Sequence, residues 1–127
     1  MYDTLYINTD MLPVSEEEKK LIGSNPGWQT KDLYCEMTEA YITDYGYLKI
    51  NEFEYEVVPK EERPHPDADG LLGACGALRR INQRLVTLNV NFTVNFYSPI
   101  GDDDYEFSAT FEYGKLKQIV GGKVDTD

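Results

Sequence analysis

From Leu85 to Tyr97 the chain reads Leu-Val-Thr-Leu-Asn-Val-Asn-Phe-Thr-Val-Asn-Phe-Tyr. Apolar residues fill the even positions, Val86, Leu88, Val90, Phe92, Val94 and Phe96. Polar residues fill most of the odd ones, Thr87, Asn89, Asn91, Thr93 and Asn95. Successive side chains of a strand point to opposite faces, so this period of two predicts one long half-buried β-strand. Such a strand belongs in an antiparallel sheet with one dry and one wet face.

The same alternation recurs. Phe53, Tyr55 and Val57 alternate with Glu52, Glu54 and Glu56, which predicts a carboxylate stripe on a wet face. Tyr105, Phe107, Ala109, Phe111 and Tyr113 alternate with Glu106, Ser108, Thr110 and Glu112. Gly114 then turns the chain into a strand from Lys115 to Val120. Further strands are expected at Tyr2 to Ile7, over Trp28 to Met37 (where Leu33, Cys35 and Met37 alternate), and at Tyr41–Thr43 and Tyr47–Ile50. The last two flank Asp44-Tyr45-Gly46, a hairpin turn with glycine at the position needing positive φ.

Ser15 with Glu18 three residues on reads as a capping box and Gly23 as a stop, so one short N-terminal helix is expected between them. Ser24-Asn25-Pro26-Gly27 reads as a turn, and the Pro-rich stretch 59–70 as a loop. Leu71, Cys75, Leu78 and Ile81 sit at helical spacing, but Gly73 and Gly76 weaken a helix by about 1 kcal/mol each, leaving a short helix or an irregular insertion. The expectation is a mostly β fold, with α+β as the alternative. It is a single domain over 1–122, an antiparallel sheet of about six or seven strands, with 123–127 as a flexible tail.

The formal net charge is −11, and residues 1–70 hold sixteen carboxylates against six basic side chains. Direct binding to nucleic acid is disfavoured, because phosphate contacts need clustered Lys and Arg. The expected partner is a protein with a basic surface. A nucleic-acid mimic is the alternative. B-DNA presents a charge every ~1.7 Å, whereas glutamates on one strand face recur every ~6.7 Å, so several acidic segments would have to converge. No apolar run has transmembrane length and the N-terminus has no signal-peptide pattern, so no membrane and a cytoplasmic location are expected.

Catalytic signals are weak, and neither an enzyme nor a cofactor is expected. His65 is the single histidine. A small metal-dependent hydrolase built on His65, Asp67 and Asp69 is a further alternative, but no second His or Cys stands at ligand spacing. Cys35 and Cys75 make no Cys-x-x-Cys pair and read as ordinary thiols. Gly70, Gly73 and Gly76 match no phosphate-binding loop. Asn91-Phe92-Thr93 is a sequon without a secretion signal beside it. Candidate binding residues are Trp28, as an aromatic anchor, with Gln29, Lys31 and Asp32. To these the wet faces add Glu52, Glu54 and Glu56, and Asn89, Asn91 and Asn95.

Three segments carry a resemblance: Met1-Tyr2-Asp3-Thr4; Trp28-Gln29-Thr30-Lys31-Asp32-Leu33 with Tyr41-Ile42-Thr43; and Phe96-Tyr97 with Tyr105-Glu106-Phe107 and Phe111 to Leu116. The chain resembles small uncharacterised proteins of bacteria and their phages or prophages. The resemblance carries no assigned chemistry. It implies a phage or prophage setting and a binder that masks a host or defence protein. Similar sequences carry a cysteine pair near the start, where this chain has Thr9-Asp10-Met11-Leu12-Pro13, so a metal role for such a pair is not expected.

Overall fold

The alternation from Leu85 to Tyr97 spans two strands, not one. In a computed structural model describing residues 1–23 and 27–124, β1 is Asp3–Ile7, β2 Trp28–Thr30, β3 Glu39–Ile42 and β4 Leu48–Val57. β5 is Leu78–Thr87, β6 Thr93–Ile100, β7 Asp103–Glu112 and β8 Lys115–Lys123. Helix α1 spans Glu16–Ile22 and α2 spans Gly70–Ala74. The hydrogen-bonding order is β5-β4-β3-β1-β2-β6-β7-β8. The structure is mostly β, with eight strands where six or seven were expected. The β1–β3 pair is parallel; the other pairs with a defined register are antiparallel.

The residues divide into two compact units, Met1–Asn51 with Leu85–Asp127, and Glu52–Arg84. In the first, the inward phase of each strand builds one core. Leu5, Trp28, Ala40, Ile42, Leu48, Ile50, Val94, Phe96, Phe107, Ala109 and Phe111 are all buried there. Trp28 meets Phe96 and Phe107 edge-on at 5.5 and 5.3 Å, the arrangement that ring quadrupoles favour. Residues 88–92 explain why alternation outlasts β5. They lie outside any ladder, yet Leu88, Val90 and Phe92 pack against the core. Their backbone bonds go elsewhere. Leu88 N–H donates to Leu48 O, while Val90 O and Phe92 O accept from Gly114 and Phe111. Burial kept its period of two although the hydrogen-bond partner changed.

α1 forms as its signals require. Ser15 Oγ accepts from the Glu18 N–H and Glu18 accepts from the Ser15 N–H, and Ile22 is its buried anchor. Tyr105 Oη donates to Glu18 at 3.0 Å and moors the helix to β7. The turn at Asp44-Tyr45-Gly46 also forms, with Gly46 at φ +85°.

The strand expected over Trp28 to Met37 stops at Thr30. Beyond it Cys35 and Met37 stand at φ +54° and +55°, where non-glycine residues are strained by about 1–2 kcal/mol each. A buried carboxylate holds this loop: Asp3 accepts from the N–H groups of Cys35, Glu36 and Thr38 at 2.7, 2.9 and 3.1 Å. At the other end of the chain, β8 runs through Gly121 and Gly122 to Lys123, so the ordered part does not end at 122. Positions 125–127 of the expected tail, and 24–26 of the expected turn, lie outside the described residues.

The second unit holds the outer halves of β4 and β5, α2 and the loop between. α2 is one five-residue turn, and Leu78 and Ile81 belong to β5, not to a helix. The helical spacing was real, but Gly73 lies within the turn and the chain leaves helical geometry at Cys75, with ψ 126°, and at Gly76, with φ +76°. Arg63 ties the loop by donating to Val58 O at 3.0 Å.

Candidate functional site

The outer face of the first unit's sheet is where half-exposed aromatic groups gather. On β1 the odd residues face the core, so Tyr2, Thr4 and Tyr6 lie on the other side. The ladder registers extend this into rows. One runs Glu39–Thr4–Gln29–Tyr97–Glu106 across β3, β1, β2, β6 and β7. The next runs Lys49–Tyr41–Tyr6 across β4, β3 and β1. Pro99 and Asp104 are paired two residues further along β6 and β7.

Tyr6 and Tyr41 stack at 5.3 Å with 21° between planes. Gly27 lets the chain pass beneath the Tyr6 ring. A Cβ there would stand 2.5 Å from Thr4 Cγ2 and 3.2 Å from Tyr6 Cε1, so any other residue would push the Thr4 methyl aside and crowd the ring. Three adjoining recesses follow. One of about 410 Å³ includes Tyr41, Tyr6 and Lys49. One of about 470 Å³ includes Tyr6, Gly27, Gln29 and Pro99. One of about 340 Å³ includes Tyr97, Pro99, Asp104 and Glu106. Successive recesses share Tyr6, then Ser98 and Pro99. Burial, then the Glu39 carboxylate, hold the Tyr41 hydroxyl above its ordinary pKa, so it stays a neutral donor.

The residues singled out from sequence separate into distinct roles. Trp28 is 3% exposed and sits in the core, so its ring is not presented as a surface anchor. Gln29 does reach the outer face. Thr30 Oγ1 donates to Asn95 O at 2.7 Å and Asp32 accepts from the Asn95 N–H at 2.7 Å, so this pair satisfies both backbone groups of Asn95 on β6. Lys31 is exposed between them. Asn91 accepts from the Tyr113 N–H at 2.6 Å and Asn95 accepts from Ser108 Oγ; Asn89 is exposed on the 88–92 connector.

In the second unit the carboxylate stripe is answered on β5. Glu56 meets Arg79 at 2.6 Å, Glu54 accepts from Asn82 at 2.7 Å, and Glu52 lies 3.5 Å from Arg84. Arg79 holds Glu56 below the usual carboxylate range. His65, Asp67 and Asp69 do not assemble; among the described residues no group of three His, Cys, Asp or Glu is placed to hold a metal ion. Among the same residues no helix is long and apolar enough to cross a membrane.

Sequence reasoning passed over Tyr6, Tyr41, Tyr97, Gly27 and Pro99. A signal existed in the phase of the aromatics: Phe96 and Phe107 take the buried phase of their strands, while Tyr6, Tyr41 and Tyr97 take the opposite one. Compared with protein-family models, curated proteins and solved structures, the chain gives no match.

Proposed function

We propose that this chain is a non-enzymatic binding protein that holds a protein partner on the outer face of its first unit. The observation that carries this reading is the Tyr6–Tyr41 stack, continued by Tyr97 across adjoining recesses. Tyrosine supplies a large rigid contact area with a polar tip, which is why it is enriched where partners are held most tightly. Charge supplies the chemistry of the partner. The first unit holds sixteen carboxylates against seven basic side chains, and the second seven against five. A partner with a basic surface is therefore steered to the first unit. The phage or prophage setting implied by resemblance fits a masking role on a host or defence protein.

The test is a nuclease-treated pull-down from bacterial lysate at low and high salt, comparing the native chain with Tyr6→Ala/Tyr41→Ala. One dominant partner, lost at high salt and lost by the variant, is the expected outcome. A partner retained equally by the variant, or no partner above background, overturns the reading. The mimic alternative has less support, because the stripe meant to copy phosphates is paired with Arg79, Asn82 and Arg84.

A further inference from the structure

We infer that the outer-face groove takes an extended proline-rich segment, in the polyproline II conformation, with an arginine or lysine at its Asp104–Glu106 end. This rests on the binding reading above and names its ligand.

Three features of the groove select that segment. The first is length. From Lys49 on β4 to Asp104 on β7 the order crosses β3, β1, β2 and β6, five inter-strand steps. At about 4.8 Å per step this is about 24 Å. A polyproline II chain rises about 3.1 Å per residue, so about eight residues span it. The second is the kind of contact. Prolyl rings are compact and apolar, and proline has a carbonyl but no N–H, so a proline-rich segment wants aromatic faces and hydrogen-bond donors. Tyr6, Tyr41 and Tyr97 offer rings with hydroxyl donors, and Gln29 offers an amide. A strand-forming peptide would instead need an unpaired sheet edge, and this groove crosses paired strands. The third is charge. Asp104 and Glu106 close one end with two carboxylates, whereas at the other end Lys49 stands with Asp44 and the charges balance, so the groove has an acidic end and a neutral one. A basic residue belongs at the acidic end, which fixes the direction in which the segment lies. Nucleic acid is a poor occupant of the same rings, since the unit's carboxylate excess repels phosphate.

The probe is a fluorescein-labelled eight-residue peptide with prolines at alternating positions and one terminal arginine, titrated with the full chain and read by anisotropy. Its controls are the same peptide with glutamate for arginine, and an alternating Thr-Val peptide keeping the arginine. Saturable binding of the first, at least tenfold tighter than either control, is expected. Asp104→Lys/Glu106→Lys lies on exposed positions and keeps the core intact; it should weaken that binding at least tenfold. Tyr6→Phe/Tyr41→Phe keeps the rings and removes the hydroxyls, and a several-fold loss is expected. No saturable binding, equal binding of the Thr-Val peptide, or indifference to Asp104→Lys/Glu106→Lys overturns the proposal. The two readings fail separately. A lysate partner that still depends on Tyr6 and Tyr41 when the peptide does not bind removes only the proline-rich ligand. A partner indifferent to both tyrosines removes the groove itself.

Discussion

β6 and β7 in the first unit, and the outer halves of β4 and β5 in the second, are both antiparallel-looking runs of alternating residues, and they are held by different forces. Between β6 and β7 the inward phase is Val94, Phe96, Ser98, Tyr105, Phe107, Ala109 and Phe111, and none is more than 8% exposed. Across β4 and β5 the interactions include Arg79–Glu56, Arg84–Glu52, Asn82–Glu54 and the Arg80 guanidinium 4.1 Å over the Phe53 ring. Tyr55, Val57 and Leu78 there stay 54%, 68% and 56% exposed. Alternation in a sequence therefore reports that a strand has two chemical faces. It does not report which face will be covered, because covering depends on elements distant in the chain.

The sharpest way to break this comparison is to truncate one residue on each side of it. Phe107→Ala should cost about 3–5 kcal/mol, the transfer free energy of a buried ring plus the cavity left against Trp28 and Phe96. Leu71→Ala, at a side chain 94% exposed, should change stability by less than about 0.5 kcal/mol. Urea unfolding of both variants measures the difference; equal effects would mean that the second unit hides a core of its own.

Asp3→Asn comes next. The carboxylate is fully buried and accepts three backbone hydrogen bonds, and an amide presents N–H groups where acceptors are needed. A loss of about 2 kcal/mol is expected. Faster hydrogen exchange should be confined to the amides of Cys35, Glu36 and Thr38. Exchange that rises across the whole first unit instead would make Asp3 a part of the core and not a mooring for one loop.

These three variants also mark what the sequence made legible. The strand at β7, the capping box at Ser15 and the glycine turn at Gly46 rest on neighbours within a few residues, and each could be read directly. The loop beyond Thr30 could not. Its strained Cys35 and Met37 are stabilised by a residue more than thirty positions earlier, and Leu33, Cys35 and Met37 alternate as a strand would. The groove was only half legible. Gln29 was among the residues singled out, but its neighbours Tyr6, Tyr41 and Tyr97 come from three other strands and meet through register alone. Trp28 shows the converse error: a lone tryptophan beside a polar string looks like a surface anchor until the strand phase is known.

A smaller effect tests the helix that joins the core from outside. Ser15→Ala removes one half of the capping box and should cost about 1 kcal/mol. Glu18 is held below the ordinary carboxylate range by its hydrogen bonds to the Ser15 backbone and side chain, and then by Tyr105. A depressed folded-state pKa means that its stabilising contribution is present above the unfolded value and is lost as pH falls through the folded one. The native chain and Ser15→Ala should therefore converge in thermal stability on acidification. A gap that stays constant with pH would assign the cap to the serine alone.

The smallest effect lies on the other side of the comparison, in the exposed Arg79–Glu56 pair. Glu56→Gln should loosen the β4–β5 ladder only slightly, because an exposed pair gains little over its hydration and side-chain entropy. The sign with pH is that of Glu18: Arg79 depresses the Glu56 pKa, so the pair contributes above the unfolded value and is lost as pH falls through the folded one. Salt gives the sharper discrimination. At about 1 M salt the Debye length falls to about 3 Å, and an exposed pair is screened while a buried aromatic core is not. Native-state exchange at Arg79 and Asn82 should differ between Glu56→Gln and the native chain at low salt, and the difference should close at high salt. The Phe107→Ala deficit should be unmoved by the same change. If the Glu56→Gln difference persists in salt, packing of the methylene stems and the Arg80–Phe53 contact hold this strand pair, and the contrast with β6–β7 becomes one of degree.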